Sequence, residues 1–299
     1  MPSPRKLPVL SSSLLPQIPV DDPALHQGRI RTSPHIEGQF AAYVYVPLVL
    51  DRRSTLYKLL LSVLRSAKSL VPIIHNIGIP EESQDEAAAD SPKDEYELHI
   101  SLTRPTYLRA HQREDFKRAL KAIAASHSGF RASFATFAEL TNDEGTRTFL
   151  TLEVGAGHEE LKALSDALIP MLRSIRQKEF YADPRFHASI AWALLSNPLS
   201  EVVLESAPDT PSTARISSST GAQLLTQPDR IQSGSDLPRS SAGQNMFPTI
   251  SHFPPSLIPR LKQDFGSTLT SRQVGMFHVE EVCVRIGKEV SKWRLSNWM

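Results

Sequence analysis

A histidine and a serine separated by one residue occur twice in this sequence, as His99-Ile100-Ser101 and His187-Ala188-Ser189. An unperturbed imidazole titrates near ~6.5, so each histidine can take or give a proton at working pH. A serine hydroxyl can donate a hydrogen bond to an oxygen that gains negative charge in a transition state. Two imidazoles and two hydroxyls around one cleft supply a base, an acid and two donors. That set suffices to break a phosphodiester without a metal ion.

The chemistry needs elements that bring the two motifs together. Each lies in a short apolar run with strand character, Glu97-Leu98-His99-Ile100-Ser101-Leu102-Thr103 and Phe186-His187-Ala188-Ser189-Ile190-Ala191-Trp192. Side chains in a strand alternate between faces. His99, Ser101 and Thr103 therefore share one face, against Leu98, Ile100 and Leu102. His187 and Ser189 share a face, against Phe186, Ala188 and Ile190. Each strand is expected to bury its apolar face and to present an imidazole and a hydroxyl on the other. One such strand falls in each half of the fold.

A single H-x-S carries little information, because such a histidine is ordinarily an incidental strand residue; the signal is the second copy with the same facing. Other chemistries fit less well. No G-x-S-x-G nucleophile elbow surrounds Ser101 or Ser189. His35, His75, His99 and His187 are scattered, with no H-x-x-x-H and no cysteine pair, so no metal and no other cofactor is expected. Gly155-Ala156-Gly157 extends into neither Rossmann nor P-loop spacing. Phe180-Tyr181-Ala182-Asp183-Pro184-Arg185 reads either as a turn set by Asp-Pro or as a substrate contact. In the second reading Tyr181 offers a flat ring to a base and Arg185 faces phosphate. Base–aromatic stacking is worth about 1–3 kcal/mol. Arg29, Arg31, Arg104 and Arg147 read as ordinary solvated charges.

The chain has 299 residues and a net charge of +1, so a global basic field does not recruit nucleic acid and any RNA contact must be local. Hydrophobic residues make up 40 %, enough for a real core, while 23 prolines point to sizeable segments outside it. One cysteine, Cys283, excludes an internal disulfide framework. No apolar stretch approaches the ~20 residues of a membrane span, and a soluble intracellular monomer is expected.

The periodicities predict an α+β fold. Residues 1–27 are Pro/Ser-rich and read as a disordered tail. A strand runs from Phe40 to Pro47, a helix from Leu56 to Leu70, and Val71–Ile79 is a short strand or extended link. An acidic loop over Pro80–Glu95 precedes the first H-x-S strand. A helix follows at Arg109–Ser126, then strands at Phe130–Phe134 and Thr148–Val154 and a helix at His158–Arg176. The second H-x-S strand comes next. About 205–275 is Ser/Pro-rich and reads as a disordered insertion, with one short helix over Ser256–Phe265 kinked by Pro259. The fold resumes in a last strand, Phe277–Ile286. Residues 28–299 then form a single domain.

Paired H-x-S motifs resemble those of the 2H phosphoesterase superfamily. The chain is most similar to its U6 snRNA phosphodiesterase branch. The likeness rests on Gly28-Arg29-Ile30-Arg31-Thr32-Ser33-Pro34-His35, Tyr43-Val44-Tyr45-Val46-Pro47, the two H-x-S segments, Thr146–Val154, Phe180–Trp192 and Glu281–Gly287. The resemblance implies two antiparallel-sheet lobes with pseudo-twofold symmetry around a central cleft and helices outside. It implies His99, Ser101, His187 and Ser189 as the catalytic set and Tyr181 as a stacking platform for the terminal base; Thr103, on the face of His99 and Ser101, and Arg185 are the further candidate substrate contacts. It further implies a nuclear 3′–5′ exoribonuclease that trims the oligouridine end of U6 snRNA and leaves a 2′,3′-cyclic phosphate, which some members then open to a monophosphate. A 2′,3′-cyclic nucleotide phosphodiesterase, a 2′–5′ RNA esterase and a non-catalytic RNA-binding module are the alternatives.

Overall fold

A computed structural model describes residues 22–29, 36–81, 95–196 and 247–296. Ten strands make one antiparallel sheet: β1 Gln39–Asp51, β2 His75–Asn76, β3 Glu95–Ser101, β4 Thr106–Arg109, β5 Phe130–Thr141, β6 Arg147–Val154, β7 His187–Leu194, β8 Met276–Val279, β9 Glu281–Ile286 and β10 Glu289–Arg294. The order is β10-β9-β1-β3-β7-β6-β5-β8, with β4 beside β1 and β2 beside β7. The helices are α1 Thr55–Leu70, α2 Arg113–Ser126, α3 His158–Ala167, α4 Ile169–Ser174 and α5 Leu257–Leu269. The fold is α+β, as the periodicities indicate.

The two H-x-S strands are the seam of this sheet. Along the main path three strands lie beyond β3 and three beyond β7. Strands β3 and β7 touch through one residue pair, Ile100 opposite Ala188. Both are fully buried. Beyond that pair β7 is instead joined by β2, through His75 opposite Trp192. The outer edges of the sheet approach one another: β8 and β9 are separated only by Glu280, and the Gly129 N–H donates to the Ser296 carbonyl at 3.1 Å.

Local chemistry explains most boundaries. Ser54 caps α1 by accepting from the Tyr57 N–H at 3.1 Å. Leu60, Val63, Leu64 and Ala67 then bury one stripe of that helix. The buried stripes of the helices and the apolar face of the sheet form one continuous core.

Several boundaries depart from the sequence expectation. Strand β1 passes through Pro47 to Asp51. Val44 turns its carbonyl toward β3, where it accepts from the Leu102 N–H, so Pro47 has its missing N–H on the β9 side. There β9 pairs only with Ala42–Tyr45, and the proline interrupts no ladder. The helix expected over 158–176 is two helices, α3 and α4, broken at Leu168, with Pro170 in the first turn of the second. Strands β4 and β10 were not expected.

The expected insertion also changes extent. Residues 197–246 lie outside the described residues, as do 1–21 of the expected tail. Residues 247–275, however, belong to the body of the fold. Phe253, Leu257, Leu261 and Leu269 are buried in the core. Pro259 sits at the third position of α5, where its missing N–H has no intrahelical partner, so it does not kink the helix. The helix expected over Ser256–Phe265 is present and runs on to Leu269.

Candidate active site

Alternation about the seam fixes the site. Ile100 and Ala188 point into the core, so His99, Ser101, His187 and Ser189 all stand on the opposite face. The antiparallel register centred on that one pair sets His99 against Ser189 and Ser101 against His187. Each imidazole thus faces the other strand's hydroxyl, and the quartet has local twofold symmetry. All four residues are half-buried. Neither serine hydroxyl has a hydrogen-bond partner among the described residues.

The two histidines are held differently. His187 Nδ1 lies 2.6 Å from the Arg185 carbonyl. A carbonyl only accepts, so Nδ1 carries the proton and neutral His187 keeps a lone pair on Nε2. The loop that carries this carbonyl is itself tied down. His158 Nε2 lies 2.8 Å from the Pro184 carbonyl, and its ring meets Phe186 edge-on at 5.1 Å. His99 makes no hydrogen bond among the described residues. It rests against Tyr43 and Tyr45, each with its ring centre 5.7 Å away. Tyr45 donates to Glu97 Oε1 at 3.1 Å, and Lys292 Nζ holds Glu97 Oε2 at 3.0 Å.

Burial pushes the pKa of both histidines below the ordinary imidazole value of 6.5. At His99 the His187 imidazole and the Arg285 guanidinium add to this, while Glu97 opposes it. At His187 the Arg185 carbonyl opposes it by favouring the protonated ring. Burial also raises the Tyr45 hydroxyl, so it stays a donor.

Thr103 does not join this face. Strand β3 ends at Ser101, Leu102 is fully buried, and Thr103 turns inward with 2 % exposure. Its hydroxyl accepts from the Val44 N–H at 3.0 Å. The alternation that placed it beside Ser101 fails because the ladder has stopped. Arg185 is near the site, but its guanidinium is engaged by Glu153 through two contacts, 2.6 and 3.2 Å. Glu153 pairs with His187 across the strands. Arg185 therefore serves the site through its carbonyl and this ion pair, with no free fork toward phosphate. The Arg185 hydrogen bond holds Glu153 below the usual carboxylate range.

Tyr181 is 43 % exposed. Its hydroxyl donates to Asp143 Oδ1 at 2.7 Å, and Arg104 lies 3.9 Å over its ring while pairing with Asp143 at 2.6 Å. Arg104, read from sequence as a solvated charge, thus occupies one face of this platform. Sequence reasoning also missed Tyr43, Tyr45, Glu97, His158 and Arg285. The Tyr-x-Tyr alternation in β1 was the available signal for the first two. Among the described residues no group of His, Cys, Asp or Glu could hold a metal ion, and no helix is long and apolar enough to cross a membrane.

Comparison with known proteins agrees with the motif reading. The curated relatives include U6 snRNA phosphodiesterase 1 from Bos taurus, 35 % identical over 59 % of this chain and 59 % of that protein. The Mus musculus protein of the same name is 34 % identical over 64 % of this chain and 66 % of its own length. The Neurospora crassa protein of that name is 31 % identical over 58 % of this chain and 53 % of its own. The match thus spans less than two thirds of these relatives. Among solved structures, that of Kluyveromyces marxianus Usb1 aligns with a TM-score of 0.49 at 12 % identity, covering 85 % of this chain and 98 % of that one. The family model HVSL, described as an uncharacterised conserved protein, matches residues 2–227, most of the chain. The chain belongs to the HVSL family.

Proposed function

We propose that this protein is an RNA phosphodiesterase acting as a 3′–5′ exonuclease on the oligouridine end of U6 snRNA. The carrying observation is the crossed quartet at the seam: two imidazoles and two hydroxyls, unpartnered among the described residues, on one face, with the His187 tautomer fixed. The names of the curated relatives support the substrate. An snRNA substrate in turn supports a nuclear site of action.

The chemistry is a transesterification. His187 Nε2 takes the proton of the 2′-hydroxyl as its oxygen bonds to phosphorus. The bond from phosphorus to the departing 5′ oxygen breaks, and His99 gives that oxygen its proton. The product ends in a 2′,3′-cyclic phosphate. Ser101 and Ser189 donate to the non-bridging oxygens, where charge accumulates. The nucleophile belongs to the substrate and sits beside the atom it attacks, so effective molarity is high and no activated water is required. One histidine from each half of the sheet meets the in-line requirement for groups on opposite sides of phosphorus.

The test is turnover of an oligouridine in excess EDTA with end-group analysis of the product. Each of His99→Ala and His187→Ala is expected to lower kcat by at least ~10²-fold, the usual scale of acid–base help, with an unchanged circular dichroism spectrum. Normal cleavage by either variant sinks the two-histidine scheme. Hydrolysis of a cyclic nucleotide or a 2′–5′ linkage in preference to oligouridine turnover would replace the substrate assignment with one of those enzymes. Tight binding with no turnover would make the protein an RNA-binding module.

A further inference from the structure

The face that carries the quartet continues along β1 to a second feature. Odd-numbered residues of β1 share that face: Tyr45 opposite Ser101, Tyr43 opposite Arg285, Ala41 opposite Tyr107, and Gln39 opposite Arg109. At the far end lies a cavity of about 410 Å³ whose lining includes Gln39, Tyr107, Arg109, His111 and Arg176. Its wall is fixed to the sheet, because Gln177 Oε1 accepts from the Tyr107 N–H at 3.0 Å. From Tyr45 to Gln39 is six residues of strand, roughly 20 Å.

The cavity is basic, and its lining holds no carboxylate. Neither the Arg109 nor the Arg176 guanidinium makes an ion pair among the described residues. Arg285, on the way there, makes none either. Arg176 is also set in an unusual backbone. It follows α4 with φ of 56°, and the Gln177 N–H donates back to Leu172 at 2.9 Å. This left-handed helix cap favours glycine. An arginine there accepts backbone strain while placing a guanidinium at the cavity.

We infer that the cavity bounded by Arg109, Arg176 and Tyr107 is a second RNA subsite, which holds the backbone and a base of the chain upstream of the scissile phosphate. The inference rests on the exonucleolytic reading. An exonuclease that removes terminal nucleotides leaves only a short stub beyond the scissile bond, so a site roughly 20 Å away is reached only by the retained strand. Arginine forks bind phosphate, and the half-buried Tyr107 ring gives a base a face to stack on.

The experiment compares uridine dinucleotide with a longer oligouridine on wild type, Arg109→Gln and Arg176→Gly. Both variants are expected to raise KM for the long substrate about tenfold, the scale of a lost charged hydrogen bond, with kcat unchanged. Dinucleotide turnover stays at the wild-type level. Arg176→Gly is expected to raise Tm, because glycine suits the cap, which separates lost binding from lost folding. Affinity is read independently by anisotropy on an oligouridine with one 2′-deoxy nucleotide 5′ of the scissile bond. There the slope of log affinity against log salt falls by ~0.7 per arginine removed. Equal losses on short and long substrates, or no loss on either, overturn the subsite. Absence of turnover on any RNA by wild type would instead overturn the proposed function.

Discussion

On the proposed mechanism the two histidines set the pH behaviour. In the free enzyme one imidazole must carry a proton and the other must not. Both titrate below 6.5. Above that value most molecules have lost the proton that His99 must deliver, so kcat/KM falls as pH rises, and its maximum is expected on the acidic side of 6.5. A bound phosphodiester is anionic and favours imidazolium, which displaces the kcat profile toward higher pH. Rate profiles of both parameters on one oligouridine check this, and a kcat/KM maximum on the alkaline side of 6.5 contradicts it. Thr103 gives the opposite kind of residue. Thr103→Val keeps the shape and strands the buried Val44 N–H, so a stability loss of about 1–3 kcal/mol is expected in urea unfolding. Turnover per folded molecule should hold. A kcat defect without a stability defect would return Thr103 to the substrate. The contrast shows what the tripeptides could reveal. Alternation is reliable while a strand is paired, so His99 and Ser101 were legible. One residue past the ladder it failed.

At the scale of elements, the segment from Phe180 to Phe186 holds His187 in place. Phe180 stacks on Phe186 with ring centres 5.8 Å apart, His158 holds Pro184, and Arg185 presents its carbonyl to the imidazole while its side chain is bound by Glu153. His158→Phe retains the aromatic contact with Phe186 and removes the hydrogen bond to Pro184, together with a long 3.8 Å contact to Glu159. Its expected effect is about a tenfold loss of kcat, the value of one hydrogen bond, with KM near wild type and Tm lowered by the stranded carbonyl of buried Pro184. If KM rises while kcat holds, the loop contacts substrate directly. None of this positioning was legible in the sequence, because it depends on a carbonyl and on a histidine from α3 that no local pattern links to β7. The face that carries the quartet was legible, since a strand's period and an apolar partner face are local properties. The split of α3 from α4 had a visible cause in Pro170, which the regular leucine spacing of 161, 164, 168 and 172 concealed.

At the scale of the molecule, the main misreading concerned where the insertion ends. Composition over 205–275 is Ser/Pro-rich on average, yet its last part supplies α5, which packs across β5 and against α1. Composition averages over a window, whereas burial of Phe253, Leu257, Leu261 and Leu269 depends on four positions that meet a hydrophobic surface made elsewhere in the chain. The junctions follow the same logic. The Ile250 N–H donates to the Leu194 carbonyl at 3.0 Å, and the Ser196 N–H donates to the Ile250 carbonyl at 2.8 Å. The chain therefore leaves the body and returns to it at one place, beside the end of β7. Closing so short a gap needs few residues, and loop-closure entropy changes only slowly with length. Replacing 206–246 with a short Gly/Ser linker should leave Tm and oligouridine cleavage near wild type. Extending the deletion through Ser251 removes the Ile250 bridge at the C-terminal end of β7, and should lower Tm. A variant lacking 206–246 that is folded but inactive on oligouridine would show that this segment contributes to the active site, and would move the boundary of the catalytic unit to include it.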